Sequence, residues 1–199
     1  MKAKLTLADF QAAAAMLGVD VPAVQAVTDV EALGGGFLPD DRPKILFERH
    51  VMYNQLIQET GLGETVRLAV ANPDIINRTP GGYAGGAAEW DRLAKAITIN
   101  RNCALQSASW GLFQIMGYHW QELGFPNVQA FVNAMYENEA AQLTVFVKFV
   151  QLDNVMHRSL QMHNWPTFAR GYNGPNYAAQ KYDVKLGNAY TKRYKELPS

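Results

Sequence analysis

Apolar residues recur every three or four positions along most of the chain, which is the spacing of one face of an α-helix. Glycines follow three of these stretches, at Gly18, Gly34 and Gly61, where they are typical helix stops. Pro22 lies in the first turn of the second stretch, a position that suits proline because the first amides of a helix have no intrahelical acceptor. The pattern predicts helices over residues 7–17, 21–33, 44–59, 88–100, 129–150, 165–172 and 177–194.

One stretch departs from this pattern, between residues 62 and 87. Its second half, ANPDIINRTPGGYAGG, is rich in Gly, Pro and Asn, which favour turns, so a loop or a short hairpin is predicted. Strand-like alternation is weak throughout, and neither a repeat nor a linker divides the chain. The sequence therefore predicts a mostly α, single domain over residues 1–199, with a small irregular or β-hairpin excursion around residues 62–87.

Charge and cysteine content narrow the classes of function. The 18 Lys and Arg residues equal the 18 Asp and Glu residues in number, so bulk electrostatics does not favour nucleic-acid binding. The single cysteine, Cys103, excludes an intrachain disulfide and suits folding in a reducing cytosol. Asp9 and Gln11 interrupt the Ala-rich N-terminal stretch, which favours an amphipathic helix over a signal peptide. No apolar stretch has the length of a membrane span, so no integral membrane segment is expected.

A carboxylate ends the second predicted helix. At about 100° per residue, Glu31 lies on or beside the face that carries Val24 and Val27. Packing against valines removes water from a carboxylate and raises its pKa toward neutrality, which general-acid chemistry requires. The alternative is an exposed glutamate, although the helix dipole disfavours a negative charge at a helix C-terminus. Glu31 is therefore a candidate acid.

A second carboxylate, Glu48, falls within the predicted third helix, in the run PKILFERHVMYNQLI. Apolar residues occupy nearly every direction around this helix, which is typical of a buried helix. Glu48 would then be a polar group in an apolar setting, next to Arg49 and His50. Two interpretations are equally open: an internal ion pair that fixes packing, or a catalytic role. Enzymes that cleave glycosidic bonds commonly use two carboxylates that flank one cleft.

Two further segments carry hydroxyls, amides and aromatic rings, the groups that recognise sugars. The stretch SASWGLFQIMGYHW is predicted to join a Ser-rich turn to an apolar helix that carries Gln114. The stretch GYNGP is predicted to present Tyr172 and Asn173 in a turn. Gln114 could equally be a satisfied core amide, and the turn could be only a turn. Trp110 is a weaker candidate for stacking on a sugar, because core packing is the commoner use of tryptophan.

Metal-dependent hydrolysis is not favoured by the spacing of possible ligands. The histidines show no His-Glu-x-x-His arrangement, and Cys103 stands alone, which favours a packed thiol. Neither a metal nor a cofactor is expected. The histidines considered are His50, His119, His157 and His163.

Several segments resemble known families. In the same order along the chain, a helix-terminal glutamate at Glu31, GLFQIM and GYNGP resemble segments of lytic transglycosylases and goose-type lysozymes. The longer stretches PKILFERH, TPGGYAGGAAEWDRLAKAITINRNCALQSASWGLFQIMG and FARGYNGPNYAAQKYDVKL resemble the N-acetylmuramidase catalytic domain of bacteriophage endolysins. This second resemblance covers nearly all of the chain. It implies a lysozyme-like α-helical domain, and no separate cell-wall-binding domain is expected.

The resemblance implies a glycoside hydrolase that cuts the β-1,4 bond between N-acetylmuramic acid and N-acetylglucosamine in peptidoglycan, causing host-cell lysis. It implies Glu31 as the general acid and Glu48 as the second carboxylate, which activates water or stabilises the oxocarbenium-like transition state. Arg49 and His50 would orient Glu48 or only pack. The implied substrate contacts are Ser109, Gln114, Tyr172 and Asn173.

Two alternatives to hydrolysis stay open at this point. In a lytic transglycosylase Glu31 alone would act as acid and base, and the product would be a 1,6-anhydro sugar. A non-catalytic peptidoglycan-binding phage protein would keep the fold without turnover. The family context implies synthesis in the host cytoplasm, holin-dependent release to the peptidoglycan layer, and a monomer.

Overall fold

The computed structural model describes residues 2–32 and 34–197. Helices make up most of this part of the chain, and the three short strands form one sheet. The described elements are α1 Leu7–Leu17, α2 Val21–Glu31, β1 Ile45–Phe47, α3 Arg49–Thr60, α4 Leu62–Ala71, α5 Ala88–Ile97, α6 Arg101–Gln106, β2 Ala108–Trp110, β3 Ile115–Met116, α7 Val128–Glu137, α8 Glu139–Leu152, α9 Asn154–Gln161, α10 Trp165–Asn173 and α11 Tyr182–Lys195, with 3-10 helices at Gly117–Trp120 and Tyr177–Gln180.

The chain divides into two compact units, and one of them is built from an N-terminal and a C-terminal segment of the chain. This terminal unit, Ala3–Gly36 and Asn138–Ser199, is built from α1, α2 and α8–α11. Its α1 begins with a capping box, in which the side chains of Thr6 and Asp9 each bind the other residue's backbone amide. The helix ends at Gly18, whose φ of 64° is a left-handed conformation that glycine adopts without steric cost. Local sequence signals therefore place both ends of α1.

The core of the terminal unit is formed by aliphatic and aromatic side chains from several helices. On α2, Val24 and Val27 are fully buried, as their helical spacing predicts. Arg193 on α11 donates from Nε and Nη2 to the two carboxylate oxygens of Asp29, at 2.7 Å each. This contact ties α11 to the last turn of α2, which ends at Glu31. The other large buried side chains of the unit include Leu17, Phe146, Val150, Leu160, Phe168 and Leu186.

The central unit consists of Phe37–Glu137 together with Lys2, and it contains α3–α7 and the sheet. The strands pair antiparallel in the order β1-β2-β3, so β2 and β3 form a hairpin and β1 pairs with the other edge of β2. The helices cover the sheet with apolar side chains. Large buried residues of this unit include Met52, Leu56, Leu93, Phe131 and Met135.

The two faces of the sheet have different environments. Phe47 and Trp110 point into the core, where they are 0% and 1% exposed. Leu46 and Ser109 are paired across β1 and β2, so their side chains share the opposite face. Glu48 continues the ladder with an extended backbone, and its N–H donates to the Ser107 carbonyl at 2.8 Å. Because side chains alternate along a strand, Glu48 follows Leu46 on the face that carries Ser109.

The predicted third helix, residues 44–59, is wrong in its first part. Ile45–Phe47 is strand β1, and α3 begins only at Arg49 and ends at Thr60. The run ILF fits a helix or a strand equally well by pattern, and pairing with β2 decides between them. Glu48 therefore lies at the N-cap of α3 rather than inside a buried helix.

The prediction of a loop or hairpin at residues 62–87 is also wrong in part. Leu62–Ala71 is the helix α4, and only residues 72–87 form loops and turns before α5. The hairpin lies elsewhere, at β2 and β3, where an apolar helix carrying Gln114 was predicted. Strands of two and three residues are too short to show alternation, so sequence periodicity does not reveal them.

The other predicted helices are confirmed in position; α1 has the predicted ends, and the others differ at one end or both. The second helix, predicted over residues 21–33, extends to Glu31, and Leu33 lies outside the described residues. The region 129–150 contains two helices, because Asn138 caps the start of α8 by accepting from the Ala141 amide. The last predicted helix is divided into a 3-10 helix at Tyr177–Gln180 and α11.

None of the described helices is by itself long and apolar enough to cross a membrane. The pair α1 and α2 reaches the required length and composition only when joined across a bend of 109°.

Candidate active site

Glu31 is the last residue of α2, one turn after the buried Val27. Its carboxylate accepts hydrogen bonds from the side-chain amide Nδ2 of Asn173, which lies 3.2 Å from each carboxylate oxygen. The residue is half-buried within the terminal unit. The apolar face of α2 and the end of α10 therefore hold this carboxylate in a partly dehydrated setting.

The protonation of Glu31 reflects two opposed effects. Burial raises its pKa, because a charged carboxylate loses hydration. The hydrogen bond from Asn173 and the positive charge of Lys185 act in the opposite direction, since both favour the ionised form. Burial is the larger effect, and the pKa of Glu31 lies above its usual range. A proton is thus held more tightly than in a solvated glutamate, yet groups that stabilise the conjugate base are already in place.

Tyr172 and Asn173 lie in the last turn of α10, which corrects the prediction that they form part of a turn. Gly171 is helical, and Gly174, with a φ of 81°, ends the helix. The ring of Tyr172 packs against those of three phenylalanines, at centroid distances of 5.7 to 6.0 Å. Loss of hydration and the nearby charge of Glu31 raise its pKa well above the usual range, so its hydroxyl stays protonated. The phenylalanines are Phe146, Phe149 and Phe168.

The side-chain amide of Asn173 suits both protonation states of Glu31. In the arrangement observed, its Oδ1 is buried and has no hydrogen-bond partner in the described parts of the chain. A buried acceptor without a donor is costly. Rotation of the amide by half a turn would bring Oδ1 to Glu31, where it could accept from a protonated carboxyl group. Asn173 can therefore follow the proton of Glu31 as acceptor or donor.

Glu48 lies in the central unit, at the junction between β1 and α3. Its side chain is 16% exposed. The phenolic hydroxyl of Tyr83 lies 2.9 Å from each of its carboxylate oxygens. Nδ1 of His50 lies 3.2 Å from Oε2, close enough for an ion pair when the ring is protonated but without hydrogen-bond geometry. Glu48 thus has a phenolic hydrogen-bond donor and an imidazole neighbour.

Ser109 and Gln114 are brought together by the β2–β3 hairpin. The Ser109 hydroxyl donates to Oε1 of Gln114 at 2.8 Å, and Nε2 of Gln114 donates to the Gly111 carbonyl at 2.8 Å. Gln114 is exposed and has a φ of 51°, a left-handed conformation that is unfavourable for a residue with a side chain. Such strain is often found at functional sites. The hairpin therefore presents an oriented amide on the surface of the central unit.

Comparison with known proteins identifies a protein family and a similar solved structure. A family model for N-acetylmuramidase matches residues 20–194. The chain belongs to the N-acetylmuramidase family. The crystal structure of Burkholderia AP3 phage endolysin is 51% identical in sequence and superposes with a TM-score of 0.91, covering 96% of this chain and 72% of that one. Among curated proteins, no match is found.

Family membership confirms the predicted class of enzyme: the muramidase is a glycoside hydrolase that acts on peptidoglycan. The predicted mostly α, lysozyme-like fold is likewise confirmed. In the described residues of the muramidase, no group of three His, Cys, Asp or Glu side chains is arranged to hold a metal ion. Cys103 is buried, and burial raises the pKa of its thiol to about 11.

Trp110 does not fit the predicted role of a sugar-stacking residue. Its side chain is 1% exposed in the muramidase, and its indole N–H donates to the Leu105 carbonyl at 3.1 Å. Trp90 contacts it edge-on, with ring centroids 5.7 Å apart. A ring buried on this scale offers no face to a ligand, so Trp110 is a core residue.

Two residues near the carboxylates were not predicted from the sequence. Tyr83 contacts Glu48, and Lys185 acts electrostatically on Glu31. The only sequence signal for Tyr83 is its position in GGYAGG, where an aromatic residue stands between pairs of glycines. Lys185 carries no comparable signal, because lysines are common on the polar faces of helices. In the muramidase both depend on contacts between segments distant in sequence.

Proposed function

We propose that this muramidase is a phage endolysin-type enzyme that hydrolyses the β-1,4 bond between N-acetylmuramic acid and N-acetylglucosamine, with Glu31 as general acid and Glu48 as second carboxylate. The proposal is supported by the family match and by the similarity to Burkholderia AP3 phage endolysin. We further propose that residues 1–199 act as one catalytic domain.

The observation that carries the assignment of Glu31 is its partly buried carboxyl group with a raised pKa. A general acid must hold its proton near neutral pH and release it to the oxygen of the leaving sugar. Burial provides the first property. The second is supported by Asn173 and Lys185, which stabilise the carboxylate that forms once the proton has left.

Glu48 serves in the charged form in this proposal. As a base it would take a proton from water while the hydroxide adds to the anomeric carbon, and Glu31 would protonate the departing oxygen. Alternatively, its charge would stabilise the oxocarbenium-like transition state. The hydrogen bond from Tyr83 supports either role, because it holds the Glu48 carboxylate in place.

Four residues are proposed as substrate contacts. The exposed amide of Gln114 is oriented by Ser109 and can bind hydroxyl or acetamido groups. On the terminal unit, Asn173 and Tyr172 adjoin Glu31. Trp110 is not part of the proposal, because its ring is buried.

The central experiment is digestion of purified peptidoglycan by Glu31→Gln and by wild type. Glutamine keeps the shape of the side chain and removes the proton, so the variant should lose at least a hundredfold in rate, within the range of general-acid catalysis. The matched control is Glu137→Gln, which changes an exposed glutamate on α7 and should leave the rate unchanged. An undiminished rate for Glu31→Gln would remove the proposal.

Mass spectrometry of the released fragments separates hydrolysis from its nearest rival. Hydrolysis adds water to the cleaved bond, whereas a lytic transglycosylase produces 1,6-anhydro ends that lack it. Full activity of Glu48→Gln together with anhydro products would establish the single-glutamate mechanism instead. Binding to peptidoglycan with no fragments released would show a non-catalytic wall-binding protein.

The biological setting follows the endolysin assignment. We propose synthesis in the host cytoplasm, holin-dependent access to the peptidoglycan layer, and action as a monomer. Expression in a bacterium with and without a co-expressed holin tests the second point, since lysis should occur only when the membrane is permeabilised.

A further inference from the structure

The hydroxyl of Tyr83 is placed symmetrically on the carboxylate of Glu48. It lies 2.9 Å from both oxygens, although a phenol has one proton and can donate to only one of them at a time. The ring itself is 47% exposed, so burial of the ring does not fix its position. Other contacts of the segment that carries Tyr83 must therefore hold the hydroxyl in place.

One anchor of this segment is the buried Glu89. Its Oε1 accepts from the amides of Ala84 and Gly85 at 2.6 and 2.9 Å, directly after Tyr83. Its Oε2 accepts from the amide of Phe47 at 3.0 Å. Glu89 is fully buried. A single carboxylate thus joins the backbone after Tyr83 to the end of β1.

A second anchor holds the backbone before Tyr83. Arg49 donates from Nε to the Thr79 carbonyl at 2.8 Å and from Nη2 to the Pro80 carbonyl at 3.1 Å. At Gly82, which has a φ of 74°, an added Cβ would lie 3.0 Å from the Arg49 guanidinium. The guanidinium therefore packs closely against the segment, which we term the 79–85 loop.

Three consecutive residues consequently hold the same loop. Phe47 is tied to it through Glu89, Glu48 binds Tyr83, and Arg49 binds its first two carbonyls. A displacement of the loop would move the Tyr83 hydroxyl and, through its hydrogen bond, the Glu48 carboxylate. This arrangement is more than a chance surface hydrogen bond, because both flanks of Tyr83 are fixed to the residues that flank Glu48.

We propose that Tyr83 is a positioning residue for Glu48: the 79–85 loop holds its phenol on the carboxylate, which fixes the carboxylate orientation. This inference rests on the proposed function, in which Glu48 acts as the second carboxylate. It assigns Tyr83 no direct contact with the sugar.

The chemistry of a phenol suits this role. Burial and the negative charge of Glu48 raise the pKa of Tyr83, so the hydroxyl keeps its proton and remains a donor. A neutral donor stabilises the carboxylate without cancelling its charge, which an adjoining Lys or Arg would do. The hydroxyl lies at the same distance from both carboxylate oxygens. One oxygen can therefore act on water while the other keeps the hydrogen bond.

In the described part of the chain, His50 and Tyr83 contact Glu48 at the distances given above, and Arg92 acts electrostatically on Tyr83. The guanidinium of Arg49 binds the loop carbonyls instead. The imidazole of His50 lies beside the same carboxylate as the phenol of Tyr83. The experiment therefore compares variants that keep His50 intact.

The test compares Tyr83→Phe with wild type over a range of pH. Loss of a hydrogen bond to a charged group should lower kcat about tenfold, while KM changes less than twofold. A fall in kcat at nearly constant KM is the result that a positioning role predicts, because the sugar contacts are unchanged. The basic limb of the pH–rate profile, set by Glu31, should stay where it is. Tyr194→Phe, which removes a hydroxyl from an exposed tyrosine on α11, should match wild type.

A second variant tests the loop without removing the phenol. Arg49→Ala releases the carbonyls of Thr79 and Pro80, so it should lower kcat at nearly constant KM, by less than Tyr83→Phe does. Thermal unfolding of each variant shows whether it is folded at the temperature of the assay. This variant carries the test if Tyr83→Phe is too unstable to assay.

The outcomes separate this inference from the proposed function. An inactive Glu31→Gln together with a wild-type kcat in Tyr83→Phe would overturn the positioning role alone. A rise in KM at unchanged kcat would also overturn it, since that result shows direct sugar binding. An active Glu31→Gln would overturn the proposed function, whatever Tyr83→Phe does.

Discussion

Asn173 donates its side-chain amide to both carboxylate oxygens of Glu31, at 3.2 Å each, and joins the end of α10 to the end of α2. Two opposed effects act on the proton of Glu31. Burial holds the proton on Glu31, and Asn173 stabilises the charge that remains after the proton leaves. Each can be measured separately by changing one residue.

Asn173→Ala should lower kcat about tenfold, because the carboxylate formed during catalysis loses a hydrogen bond to a charged group. The same change removes an interaction that lowers the pKa of Glu31. The basic limb of the pH–rate profile should therefore move to higher pH. Steady-state kinetics across pH measures both effects. Asn54→Ala, on the exposed side of α3, is the matched control, and equal losses in the two variants would contradict the role of Asn173.

Glu31 should make the folded protein less stable as pH rises. Its folded pKa is raised above the ordinary value of 4.5, so in the interval above that value the folded state binds more protons than the unfolded state. Stability then falls with increasing pH across this interval. Glu31→Gln cannot ionise, so its unfolding free energy should exceed that of wild type near neutral pH. Denaturant unfolding at neutral pH and at about pH 4, below the ordinary carboxyl pKa, measures the difference, which should shrink at the lower pH.

Glu89→Ala should destabilise the central unit strongly. It leaves the Arg92 side chain, 10% exposed, without its carboxylate, and it leaves the amides of Phe47 and Ala84 without their acceptor. Breaking a buried pair by removing one partner costs about 3 kcal/mol or more. Glu64→Ala removes the exposed partner of Arg67 and serves as the control, with little change expected. Chemical denaturation of both variants provides the comparison.

The same carboxylate should contribute to acid sensitivity. Burial acts to raise the pKa of Glu89, but hydrogen bonds from the Gly85, Phe47 and Ala84 amides and from Arg92 outweigh it, and the pKa is lowered. The stability that Glu89 contributes is therefore present above the ordinary carboxyl pKa and is lost as pH falls through the lowered value. Wild type should lose unfolding free energy in this acidic range, and Glu89→Gln should lose less.

Gln114→Gly should separate activity from stability at the hairpin. Glycine accepts the φ of 51° without the cost of about 1 kcal/mol that a side chain incurs there, which offsets the lost hydrogen bonds to Ser109 and Gly111. The melting temperature should stay near that of wild type, whereas peptidoglycan turnover should fall at least tenfold through loss of a substrate contact. A drop in melting temperature with intact turnover would show that Gln114 is only structural.

Glu31 illustrates a candidate site residue that helical periodicity could locate. Its position relative to Val24 and Val27 predicted partial burial, and the half-buried carboxylate with a raised pKa agrees with that prediction. Periodicity was sufficient to place Glu31 because residues three or four positions apart lie on the same face of a helix. Positions along α2 determine which side of the helix faces the core.

Glu48 illustrates the opposite case. The apolar run around it predicted a buried helix, whereas pairing of Ile45–Phe47 with β2, more than sixty residues later, makes a strand and leaves Glu48 at a helix cap. Tyr83 was missed for the same reason, since its contact with Glu48 depends on anchors at Arg49 and Glu89.

The sequence by itself determined the helical class, most helix positions, the candidate acid and, through its motifs, the family. These follow from interactions within a few residues: periodic burial, capping side chains and glycines with left-handed backbones. Only the tertiary structure decided where the three strands pair, which groups contact each carboxylate, and that the ring of Trp110 is buried. The physical reason is that hydrogen bonds and burial between distant segments depend on the folded path of the chain, which local periodicity does not contain.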